Sequence, residues 1–175
     1  MQSLAPIAVV ALTTLVALIL LRAAWHKATD LPRTIAYARA YGVVRDNRAP
    51  AVVKLLLLAE AGLVLGLLWP ATHRAAAIGA ALLFLGYAGL MALALWRGQR
   101  EIDCGCGGPA LPVSHLTLAR NGLFAALALA VAALPSGGLG ALAVLTGIAA
   151  GLSFAAALGV AERLAAHLPY LRRAS

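Results

Sequence analysis

Two cysteines stand one residue apart in the string Ile102-Asp103-Cys104-Gly105-Cys106-Gly107-Gly108-Pro109, and the chain has no others. Glycine between and after them frees the backbone for the tight turn that brings two sulfurs within bonding distance. A disulfide across one intervening residue closes a small, strained ring. Strain raises its reduction potential, so the bond exchanges with other thiols instead of acting as a staple. It also closes too short a loop to stabilise a fold much. On the residues alone, a redox-active Cys104–Cys106 pair and two incidental loop cysteines stand level, since Cys-x-Cys is a weak motif. Half of a metal site is the weakest reading. Zinc takes four ligands, and only Asp103 and His115 are near enough in sequence to join the thiols.

Arg120 and Asn121 follow the cysteines by about fifteen residues, at the start of the next apolar run. A cation near a thiol stabilises the thiolate, the species that attacks a disulfide, and an amide can add a hydrogen bond. The competing reading is an arginine that snorkels to the membrane interface. Glu60 falls about ten residues past Pro50, deep in an apolar run. An isolated carboxylate there is costly and marks a paired or functional site. Arg22, Lys27 and Arg120 are its candidate partners, and a structural ion pair and a proton-handling role both fit.

The elements that must hold these residues are membrane helices. Of 175 residues, 63% are hydrophobic and 11% charged, a balance suited to lipid and not to a soluble surface. Lipid supplies no hydrogen-bond partners, so the backbone must be helical or form a closed barrel. Long Leu, Ala, Val and Gly runs lack the alternation of barrel strands. Spans of about 20 residues are expected at Leu4–Leu21, Ala51–Trp69, Ala75–Trp96 and Leu139–Ala161, with a fifth from Val113 to Leu134 that carries His115, Arg120 and Asn121 near its start. The first run has no basic residue before it and no clean small-residue cleavage site after it, so it reads as a retained helix. The expected fold class is all-α: a polytopic membrane bundle of five helices, a four-helix core plus a C-terminal helix, in one integral domain over residues 1–175.

The polar interval from Arg22 to Pro50 predicts a short interfacial helix, with Asp30 as N-cap, Pro32 in the first turn and Gly42 at C′. Asn47 and Pro50 then open the second span. Glycines at 79, 86 and 89, and at 140, 147 and 151, predict close helix approach, because packing drives helix association in lipid.

The net charge of +8 does not point to nucleic acid, because the basic residues lie between the apolar runs, where they set orientation and meet lipid head groups. With five spans, one side takes Arg22, Lys27, Arg33, Arg39, Arg45, Arg48 and Lys54, then Arg97, Arg100 and Arg120, then Arg163, Arg172 and Arg173. The other side has Arg74 alone. The positive-inside rule puts the N-terminus outside, and the cysteine loop and C-terminus in the cytoplasm.

Together, Asp103-Cys104-Gly105-Cys106-Gly107-Gly108 followed by Arg120-Asn121 resemble the methylamine-utilisation protein MauE family. His26-Lys27 at the end of helix one, the aromatic-containing segment at Tyr37–Val44 and Glu60-Ala61-Gly62 are similar too, and also resemble the broader DoxX-like membrane proteins. The resemblance spans roughly residues 10 to 135 and leaves out the last helix. It implies a bacterial inner-membrane protein that assists disulfide formation or maturation of an exported enzyme. For the type member that enzyme is the methylamine dehydrogenase small subunit, with a thioredoxin-like partner. By the same resemblance Cys104 and Cys106 are the redox pair, Arg120 and Asn121 their neighbours, and Lys27 and Glu60 buried polar positions.

The function expected from sequence is therefore thiol–disulfide exchange in the membrane, with the chain a candidate thiol–disulfide oxidoreductase. Its expected partners are a thioredoxin-like protein, the lipid bilayer and an exported client, and no nucleic acid. Its one expected redox group is the Cys104–Cys106 disulfide; no motif supports a quinone. The rival is a non-redox carrier of a soft metal or small molecule with the cysteines as ligands, though few Met and His residues argue against copper. An assembly scaffold is the third reading. Exported clients want the thiols outside, whereas the charge bias puts them inside. Electron transfer across the membrane with a partner, or the reversed orientation, would reconcile the two.

Overall fold

In a computed structural model, residues 4–99, 102, 112–135 and 140–173 are described, and six helices carry their fold. They are α1 (Leu4–Thr29), α2 (Leu31–Ala40), α3 (Ala49–Leu68), α4 (His73–Trp96), α5 (His115–Ala133) and α6 (Ala141–Arg173). All except α2 are long and apolar enough to cross a membrane, α6 through Ala141–Leu164. The five-span, all-helical architecture expected from composition is thus the one observed. Exposed Leu55, Leu58, Leu65, Leu82, Leu85 and Leu129 give the bundle the apolar exterior that lipid requires.

The core joins α1, α3, α4 and α5. Val16 and Leu20 of α1 meet Leu67 of α3, an alanine face of α4 (Ala77, Ala80, Ala81) and Ala125 and Ala128 of α5. Small side chains let α4 and α5 run closely together, and Phe84 packs edge-on against Phe124 at 5.5 Å. Helix α6 lies outside this four-helix core and packs along α1. A Cβ added at Gly147 or Gly151 would stand 2.6 Å from Cβ of Val10 or Thr14, closer than atoms allow. Gly79 likewise faces Leu63 of α3 at 2.7 Å. A Cβ added at the other glycines of the predicted close-contact stripes, Gly86, Gly89 and Gly140, would meet nothing within 4 Å, so three of the six predicted close approaches are made.

Local signals account for the ends that frame the polar residues. Helix α1 continues eight residues past the predicted Leu21, because nothing breaks it before Asp30 and Pro32. Asp30 occupies the N-cap of α2 but its side chain makes no cap hydrogen bond; Thr34 Oγ1 instead donates to the Asp30 carbonyl at 3.0 Å. Gly42 takes the left-handed φ of 63° expected at C′. The second span opens at Ala49, with Arg48 as N-cap and Pro50 in its first turn, and Asn47 sits in the preceding turn. Past the Arg97 C-cap of α4, Gly98 takes a φ of 73°, with Gln99 N–H bonded to the Ala94 carbonyl. Helix α5 starts on a Ser114–Thr117 capping box. Arg97 Nη1 donates to the Tyr41 carbonyl at 3.2 Å, so the end of α4 and the α2–α3 linker share one end of the bundle.

Candidate functional site

Five charged side chains gather toward that same end in two groups, Lys27 with Glu60, and Arg22 and Arg120 with Glu162. Lys27 sits two residues before the end of α1, and Glu60 lies eleven residues into α3. Lys27 Nζ donates to Glu60 Oε1 at 2.7 Å, with the two side chains 2% and 0% exposed. Tyr87 of α4 donates its hydroxyl to the same oxygen at 2.7 Å, and its ring lies under the Lys27 ammonium at 5.4 Å. Glu60 Oε2 is buried with no hydrogen-bond partner among the described residues. Of the three cations that sequence offered to Glu60, Lys27 is the one that reaches it.

Helix geometry explains the choice. Five residues at 3.6 per turn separate Arg22 from Lys27 by about 140° around α1, so the two cations leave it on different sides. Lys27 faces α3 and α4. Arg22 faces α6, where its Nη2 meets Glu162 Oε2 at 2.6 Å. Arg120 of α5 meets the other oxygen, Oε1, through Nη1 at 2.8 Å, and its guanidinium lies over the Phe124 ring at 5.7 Å. Glu162 is 4% exposed. One carboxylate therefore clamps two arginines and fastens α6 to both α1 and α5.

Asn121 is buried and uses its amide nitrogen within the bundle, donating to the Thr117 carbonyl at 3.0 Å and reaching Met91 Sδ of α4 at 3.6 Å. Under α2 lies a cavity of about 70 Å³ lined by Lys27, Thr34, Tyr37, Tyr41, Tyr87 and Met91, among others. That volume admits water; it is about half that of an engineered protein cavity that takes benzene.

Asp103, Cys104 and Cys106 lie outside the described residues. In the chain they fall between Trp96, the end of α4, and His115, the start of α5. Both helix ends belong to the end of the bundle that gathers the charged side chains. Sequence reasoning missed Glu162 and Tyr87. The signal for Glu162 was available: it follows the predicted span Leu139–Ala161 by one residue and is one of only six acidic residues. A lone mid-helix tyrosine such as Tyr87 gave a weaker signal.

The family model for methylamine utilisation protein MauE matches residues 5–135. The chain belongs to the MauE family. It is 35% identical over 129 residues to Methylamine utilization protein MauE of Paracoccus denitrificans, a match that covers 73% of this chain and 69% of that protein. No solved structure matches the chain. Membership in the MauE family together with five spans makes this a multi-pass membrane protein. The match takes in α1 to α5, with Lys27, Glu60, Tyr87, Cys104, Cys106, Arg120 and Asn121, and stops short of α6. Glu162 thus clamps two arginines of the MauE-matched region from a helix beyond it.

Proposed function

We propose that this chain is an accessory protein of methylamine utilisation in the bacterial cytoplasmic membrane, working by thiol–disulfide exchange in the maturation of an exported protein. The methylamine assignment rests on the name its Paracoccus denitrificans relative carries. The exchange chemistry rests on one observation: the Asp103-Cys104-Gly105-Cys106 segment joins two helices whose ends share the charged end of the bundle. Arg120 stands in the second turn of α5, and an arginine beside a thiol favours the reactive thiolate.

In the proposed cycle a thiolate of a thioredoxin-like partner attacks one sulfur of the Cys104–Cys106 disulfide. The S–S bond breaks, a mixed disulfide forms, and the other sulfur leaves as a thiolate that takes up a proton. The partner's second thiolate then attacks the mixed disulfide. The chain is left as a dithiol and the partner as a disulfide, with two electrons and two protons moved from partner to chain. The reverse sequence oxidises the chain at the partner's expense, and relative potentials fix the direction.

Thiol trapping in intact membranes followed by mass spectrometry tests the reading. A reversible Cys104–Cys106 disulfide is expected, and Cys104→Ser or Cys106→Ser should accumulate a mixed disulfide with a thioredoxin-like protein because the resolving thiol is gone. Two cysteines that never pair, or that retain a soft metal, would replace exchange with the carrier reading.

A further inference from the structure

Helices α1 and α6 run side by side in the same direction: Val10, Thr14 and Arg22 of α1 meet Gly147, Gly151 and Glu162 of α6 in rising order. They are fixed at two places. At the glycines the backbones nearly touch, with the Ala11 carbonyl 2.7 Å from where a Gly151 Cβ would be. Further along, Arg22 and Glu162 hold them together at 2.6 Å. Between these points a groove of about 630 Å³ opens, walled by Leu18, Leu21, Leu152 and Ala156, with Arg22 and Trp25 toward one end. Leu21, Trp25 and Leu152 are exposed on the outer surface of the bundle, so the groove faces lipid.

We infer that this groove binds one anionic phospholipid, its phosphate on Arg22 and an acyl chain between α1 and α6. The lining dictates the chemistry: apolar walls with a cation at one end fit an amphiphile with an anionic head. The volume lies in the range of small-molecule sites, roughly 300–1,000 Å³. Arg22 still has hydrogen bonds to give. Its side chain is 36% exposed, and only Nη2 finds an acceptor among the described residues, which leaves Nη1 to give; Nε is buried away from the surface. A guanidinium presents a planar fork that matches phosphate oxygens. Glu162, held from its other side by Arg120, fixes the Arg22 head group before any ligand arrives, which lowers the ordering cost of binding. Trp25, one turn along the same face, belongs where indole rings favour the head-group level. Basic pockets between membrane helices are a recurring form of lipid head-group site.

The test is native mass spectrometry of the detergent-purified full chain, titrated with phosphatidylglycerol or phosphatidylcholine of identical acyl chains. The wild-type protein should retain phosphatidylglycerol roughly fivefold more tightly, the scale of one basic residue at an anionic surface. Arg22→Gln should erase that preference. Ala156→Trp should fill the groove from its lipid side and lose both lipids, while keeping the Arg22–Glu162 pair and so the fold. Arg45→Gln, which removes an exposed cation elsewhere, should change nothing. Equal retention of the two lipids by wild type would overturn the proposal. So would undiminished binding by Ala156→Trp, a loss in Arg45→Gln equal to that in Arg22→Gln, or displacement of the lipid by millimolar inorganic phosphate, which would mark a plain anion site.

Discussion

Lys27 and Glu60 reach across from α1 to α3 and meet at 2.7 Å with essentially no exposure to the outside. Taking two charges out of water is costly, and their attraction offsets that cost only while both are present. Removing either partner strands the other as a buried charge, at about 3–5 kcal/mol. Glu60→Ala or Lys27→Met should therefore lower the melting temperature in detergent sharply. Glu60→Gln should lower it less, because a side-chain oxygen still accepts from Lys27 and Tyr87. The double variant Lys27→Met/Glu60→Leu should recover most of the loss. If the double variant melts no higher than the singles, the pair is not the source of their instability.

How far the sequence led varies with the physics of each feature. Span number and length follow from lipid thickness and hydropathy, so all five spans were legible. Glu60 stood out because a carboxylate within an apolar run must be paired, and Lys27 was already one of its three candidates. Which candidate wins depends on the rotation of α1 between α3 and α6, which hydropathy does not encode. Glu162 was missed because the last span was ended at Ala161, and its arginines were assigned to Glu60 or to the cysteines. Of the glycine stripes, Gly147 and Gly151 mark real contact and Gly86 and Gly89 do not, since spacing is silent about which face meets a neighbour.

The α1–α6 seam gives a second prediction. Gly151 has the Ala11 carbonyl and Thr14 Cβ within 2.7 Å of an added Cβ, and backbone cannot yield as a flexible side chain can. Gly151→Val should cost about 1–3 kcal/mol by overpacking and prise α6 from α1. Gly159→Ala, in open space, should be neutral or slightly stabilising through helix propensity. Thermal melting of the two variants side by side decides it; equal behaviour would mean that the helices are not pinned at Gly151.

Orientation gives a third. An odd number of spans puts the start of α1 and the end of α6 on opposite faces, and the basic residues crowd the end that holds Lys27, Arg120 and Arg163. A reporter that works only in the cytoplasm should be active when fused after Ser175, and one that works only outside should be silent there. The opposite pattern would put the cysteine segment on the outer face, where exported clients fold.

The fourth prediction separates Arg120 as an influence on the thiols from Arg120 as an anchor for α6. Its guanidinium is 2.8 Å from Glu162, so part of its positive field is cancelled where it stands. A nearby cation lowers the pH at which a thiol ionises, and alkylation rate follows the thiolate fraction. Arg120→Gln should therefore slow alkylation of the more reactive cysteine at neutral pH, by about two- to tenfold, because raising a thiol's ionisation midpoint by about one pH step leaves roughly a tenth of the thiolate. Glu162→Gln should act in the opposite direction, because it leaves the Arg120 charge less compensated. Both variants weaken the seam with α6, so a purely structural role would move the two rates the same way. The measurement is alkylation rate against pH for wild type and both variants. Opposite displacements support an electrostatic link between Arg120 and the cysteines; parallel displacements, or none, assign the arginine to holding α6.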